Sequence, residues 1–127
     1  MINASLAVAL GGAIGAVLRH GVNVGTARWL GTGFPYGTLC VNIAGSFMIG
    51  LLIALFAHIW QPPQTVRLFL VTGILGGFTT FSTFSLDTVV LLQRQDYMMA
   101  GLYMAVSVVL SVLALFGGLA LVRSLVL

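Results

Sequence analysis

A chain of 127 residues that is 60% hydrophobic and only 6% charged, with a mean hydropathy of +1.16, lies far outside soluble domains, in which roughly a quarter of residues carry charge. This leaves an integral membrane protein of one domain, residues 1–127, with no separate soluble domain. The net charge of +3 comes from arginines spaced singly at 19, 28, 67, 94 and 123, which argues against a nucleic-acid patch and suits lipid headgroups. Cys40 is the only cysteine, so an internal disulfide and a Cys-based metal site within one chain are excluded.

In chain order the sequence predicts four transmembrane helices. The start, MINASLAVALGG, lacks the basic region of a cleavable signal, and none is expected. The first span begins near Ala4. Its charge-free part ends at Leu18, which is too short for a hydrocarbon core of about 30 Å, so the helix must continue through Arg19, His20 and Asn23. A turn is expected at ARWLGTGFPYG, whose basic and aromatic residues suit headgroup depth. The second span runs from about Gly37 to Ile59, and QPPQ turns the chain. The third extends from Arg67 to about Leu92, RQD turns the chain again, and the fourth runs from Tyr97 to about Val122. With four spans, Arg67 and Arg123 face Arg28 and Arg94 across the membrane, with Arg19 toward the latter end. So even a balance gives the positive-inside rule little to act on, and it allows an antiparallel, dual-topology homodimer.

The third span carries GGFTTFSTFSLD, with five hydroxyls in the seven positions from Thr79 to Ser85. Glycine is a poor helix former and hydroxyls bond backbone carbonyls locally, so this helix is predicted to break near its middle. A break frees carbonyls, and in hydrocarbon these are tolerated only where protein or a polar cavity receives them. Packing through small residues explains the glycines, but less well the hydroxyls, Phe78, Phe81, Phe84 and Asp87 gathered in one span. Two further polar stripes recur every four residues: Thr38, Asn42 and Ser46 in the second span, and Tyr103, Ser107 and Ser111 in the fourth. Each is a candidate pore wall, although a serine stripe alone more often reflects packing.

The sequence contains no glutamate, and its only aspartates are Asp87 and Asp96. A cation route normally displays acids or carbonyl rings, whereas hydroxyl and amide donors and the positive edges of phenyl rings suit a small anion.

Three motifs, GGxxGAxxR (Gly11 to Arg19), GTLxVNxxGS (Gly37 to Ser46) and GGFTTFSTFS (Gly76 to Ser85), together with the SxxxS of the last span, resemble the Fluc, or CrcB-type, fluoride channel family over the whole chain. The resemblance implies a passive channel of the bacterial inner membrane, an antiparallel homodimer with two pores that releases cytoplasmic fluoride down its gradient. It implies that Phe81 and Phe84 present their edges to the ion and that Asn42 is the pore asparagine. Ser82, Thr83, Tyr103, Ser107 and Ser111 would form the hydroxyl track, and Arg19 would stand near an aqueous vestibule. Carbonyls of Gly76 and Thr79, given by both subunits, would hold a structural sodium ion on the dimer axis. Phe78 replaces a residue that is often aliphatic and is given no ion contact.

The main alternative is a small four-span multidrug exporter of the dual-topology type, which shares the length and balanced arginines. It needs a membrane-embedded glutamate in the first helix, and this chain has none. A subunit with no transport role would use all three polar stripes for packing. No catalytic constellation can be assembled from two aspartates and two scattered histidines, so no enzyme is expected.

Overall fold

Backbone polar groups in hydrocarbon must be satisfied within their own segment, which drives apolar stretches of this length into helices. A computed structural model describes residues 2–126, whose regular secondary structure is helical throughout, with four helical segments long and apolar enough to cross a membrane. The first is α1, Ile2–Leu30, and the second is α2, Tyr36–His58. The third comprises α3 (Gln64–Arg67), a π-helical segment (Leu68–Leu75), α4 (Gly76–Phe78) and α5 (Phe81–Gln93). The fourth is α6, Tyr97–Val126.

Three boundaries differ from the sequence reading, one of them because α3 already begins at Gln64, the last residue of QPPQ, right after Pro63. Ala27–Leu30 belong to α1 rather than to a turn, because nothing in ARWL stops a helix; the stop is Gly31, whose φ of +82° is left-handed backbone that glycine adopts without a Cβ penalty. Its N–H closes the helix on the Ala27 carbonyl at 3.1 Å. Likewise α6 runs past Arg123 to Val126, since an arginine in a last turn is favoured by the negative end of the helix dipole and lifts its head toward water. The turn between α5 and α6 places Gln95 at φ 64°.

Glycines decide how the helices meet. α1 lies along the π-helical segment and α4, and α2 lies along α6. A Cβ on Gly11 would sit 2.9 Å from the Gly73 Cα, and one on Gly77 would sit 2.6 Å from the Gly12 carbonyl oxygen, so these backbones touch directly. Gly118 meets Leu51 N at 2.7 Å in the same sense, joining α6 to α2. The glycines of GGxxGAxxR therefore have a packing reason. A small core of Leu91, Ala100 and Tyr103, with Phe34, Leu39 and Phe84 against it, ties α5 to α6 and to the first turn.

Between α4 and α5 the backbone is extended at Thr79 (φ −86°, ψ 158°) and Thr80 (φ −155°, ψ 125°). Gly76 and Gly77 themselves stay helical.

Candidate functional site

The extended pair sets the chemistry of its surroundings, because each residue there diverts a hydrogen bond that a continuous helix would use. In an uninterrupted helix Thr80 N–H would bond the Gly76 carbonyl; here it donates to Asn42 Oδ1 on α2 at 2.8 Å. Thr83 N–H, the ordinary partner of the Thr79 carbonyl, donates instead to Thr80 Oγ1 at 3.2 Å, which caps α5. The carbonyls of Gly76 and Thr79 thus both lose their helical donors. Asn42 completes its bond to Thr80 by donating from Nδ2 to the Thr80 carbonyl at 3.0 Å. One Nδ2 hydrogen of the amide is left over.

Beside this junction lies a cavity of about 340 Å³ between α2, the extended pair and α6. It gathers Asn42, Ser46, Thr79, Thr80, Phe81, Phe84, Ser107 and Ser111, and no ionisable side chain lines it. The rings of Phe81 and Phe84 stand 5.5 Å apart between centroids, inclined at 40°. Phe81 is 78% exposed on the open side of the cavity. Opposite, the Oγ atoms of Ser107 and Ser111 are buried and make no hydrogen bond to any described residue. A buried hydroxyl without a partner is rare and costs about 1–3 kcal/mol. The two stand one turn apart on one helix face of α6.

The remaining predicted site residues lie elsewhere. Tyr103 is fully buried, stacks on Phe84 at 5.2 Å and donates its hydroxyl to Asp87 Oδ2 at 3.1 Å. Thr83 lines a second cavity of about 240 Å³ with Asn23, Thr26, Thr38, Asp87 and Arg94, at the end of the bundle where α1 turns into α2. Ser82 is exposed and its hydroxyl lies 3.4 Å from Thr80 Oγ1. Arg19 is half-buried and lines neither cavity. Sequence reasoning gave no role to Thr80, which caps α5, or to Asp87, which takes the Tyr103 hydroxyl. The signal for Asp87 was its standing as the one acid inside a span.

Chemically, the larger cavity offers hydroxyl and amide hydrogens and aromatic rings, with no fixed negative charge. That set suits a small anion and offers a cation little.

The comparisons with known proteins converge on one family. Residues 6–119 match the family described as CrcB-like protein, Camphor Resistance (CrcB). The chain is 53% identical over 121 residues to the fluoride-specific ion channel FluC of Rhodospirillum centenum, covering 95% of this chain and 96% of that one. It is 56% identical over 120 residues to fluoride-specific ion channel FluC 1 of Nitrobacter hamburgensis, covering 94% and 95%. Against the FluC protein of Agrobacterium fabrum it is 54% identical over 125 residues, covering 98% and 99%. The chain belongs to the CrcB-like family.

Proposed function

We propose that this chain is a passive fluoride-selective channel that lets the ion leave the bacterial cytoplasm across the inner membrane. The observation that carries the reading is the cavity in which the unpartnered Ser107 and Ser111 hydroxyls share one space with Phe81, Phe84 and the spare Asn42 amide hydrogen. A bare ion in hydrocarbon is disfavoured by tens of kcal/mol, so each lost water contact has to be replaced. Hydroxyl and amide hydrogens and the positive rims of phenyl rings replace them for a small halide. The names of the relatives support the choice of fluoride. The multidrug exporter loses its ground, because the first helix holds no glutamate and the chain has none anywhere, while the family matched is the CrcB-like one.

The working unit is an antiparallel homodimer with two pores. Phe81 is exposed in the single chain, and a second copy inserted the other way up closes the open side of the cavity. The third span is broken near the midplane at Thr79 and Thr80, and the freed Gly76 and Thr79 carbonyls suit a hard monovalent cation such as sodium at the junction of the two subunits. When bound, that ion would supply a fixed positive charge beside these carbonyls.

The test is a fluoride-electrode trace on liposomes holding the purified protein. Fluoride leaves at a rate that rises with its gradient, while chloride is retained. A trace no steeper than that of empty vesicles sinks the proposal.

A further inference from the structure

Thr79 is held from three directions, and only one of them lies in its own helix. Its N–H and its Oγ1 both donate to the Leu75 carbonyl, at 3.0 and 2.9 Å, which fixes its side-chain rotamer. That rotamer turns the Cγ2 methyl onto Gly45 of α2, at the spot a Cβ on Gly45 would occupy. The next residue, Thr80, is gripped through both backbone polar groups by Asn42, three positions earlier on the same face of α2.

The peptide plane between Thr79 and Thr80 makes this geometry consequential. In a trans peptide the carbonyl and the N–H point in opposite directions. Since Thr80 N–H points at Asn42, the Thr79 carbonyl points away from α2, away from the side chain that lines the fluoride cavity. We infer that Gly45 is a positioning residue: with Asn42 it sets this one peptide plane, and through it couples the cation-binding carbonyl of Thr79 to the anion cavity. The inference rests on the proposed channel function and deepens it. Gly45 touches neither ion; it acts by leaving room for one methyl group.

The experiment moves that methyl. Gly45→Ala adds a Cβ where Thr79 Cγ2 sits, and Gly45→Ala with Thr79→Ser removes the Cγ2 while keeping the Oγ1 bond to Leu75. Fluoride flux in liposomes and the melting temperature in detergent are each measured across a sodium titration, and the two midpoints are expected to move together. In Gly45→Ala the sodium concentration for half-maximal flux rises by on the order of tenfold, the size of an overpacking effect. The double variant returns to within about threefold of wild type, because the pair is coupled rather than additive. Gly50→Ala is the control, adding a Cβ to the α2 contact with α6, where it meets Leu115 and Leu119. It weakens the fold without moving the sodium response, and Thr79→Ser does not rescue it. If Gly45→Ala does not yield folded dimer, the double variant alone is compared with wild type, and its failure to fold or conduct overturns the inference. An unchanged sodium response in a folded Gly45→Ala also overturns it. Absence of flux in wild type would instead defeat the channel function itself.

Discussion

The hydroxyls of the third span and those of α6 look alike in the sequence and behave differently in the structure. From Thr79 to Ser85 every hydroxyl has a partner: Thr79 bonds the Leu75 carbonyl, Thr80 meets Ser82 and Thr83, and Ser85 bonds the Phe81 carbonyl. On α6, Ser107 and Ser111 have none among the described residues. The dense run is therefore mostly construction, holding a short extended segment open where a membrane helix would otherwise close. The sparse pair is left without partners, which is what the proposed fluoride path asks of it. Abundance of polar groups in a span marks a place where backbone needs help, and the pore is better sought where help is missing.

The largest expected effect tests the construction. Asn42→Leu keeps much of the volume but strands the Thr80 N–H and carbonyl in an apolar setting, at about 1–3 kcal/mol each, or about 2–6 kcal/mol together. The variant should unfold at a much lower temperature in detergent and, on size exclusion, lose most of the dimer proposed above. Wild-type stability would mean that the Thr80 backbone finds other partners and that Asn42 is not its support.

Residue by residue, some of this was legible and some was not. Composition and span length fix four helices, because the hydrocarbon thickness leaves no other use for such stretches. Glycines and hydroxyls direct attention to residues 76 to 85, but they do not say which residues leave the helix: Gly76 and Gly77 stay helical and the extended pair is Thr79 and Thr80. That outcome depends on Asn42, distant in sequence, and an asparagine does not announce which backbone group it will grip. Helix ends at headgroup depth were obscure for another reason. Arg28 and Trp29 suit a turn and a last helical turn equally well, and Gly31 decides between them. The serine pair was visible as a periodic stripe, yet periodicity carries no information on whether a hydroxyl is satisfied.

A smaller effect on stability and a larger one on flux should separate the α6 pair from its neighbours. Replacing Ser107 and Ser111 together by alanine removes no hydrogen bond within the protein, so the melting temperature should hold or rise. Flux should fall roughly tenfold to a hundredfold, since a hydrogen bond to a charged group contributes about 1.5–3 kcal/mol. Reduced stability with unchanged flux would reverse the comparison and make this stripe a packing surface.

The smallest effect probes a single cap. Thr80→Ala leaves both backbone bonds to Asn42 in place and removes only the oxygen that receives Thr83 N–H, together with the contacts to Ser82 and Thr83. Loss of an N-cap threonine costs about 1 kcal/mol, and Thr80→Ser, which keeps the oxygen, should recover nearly all of it in the same thermal melt. The serine rescue matters because it distinguishes capping from the loss of a methyl contact. Were Thr80→Ala as stable as wild type, the Thr80 hydroxyl would not be committed to holding α5. The third span would then have free donors of its own facing the cavity, and the division of labour between its hydroxyls and those of α6 would disappear.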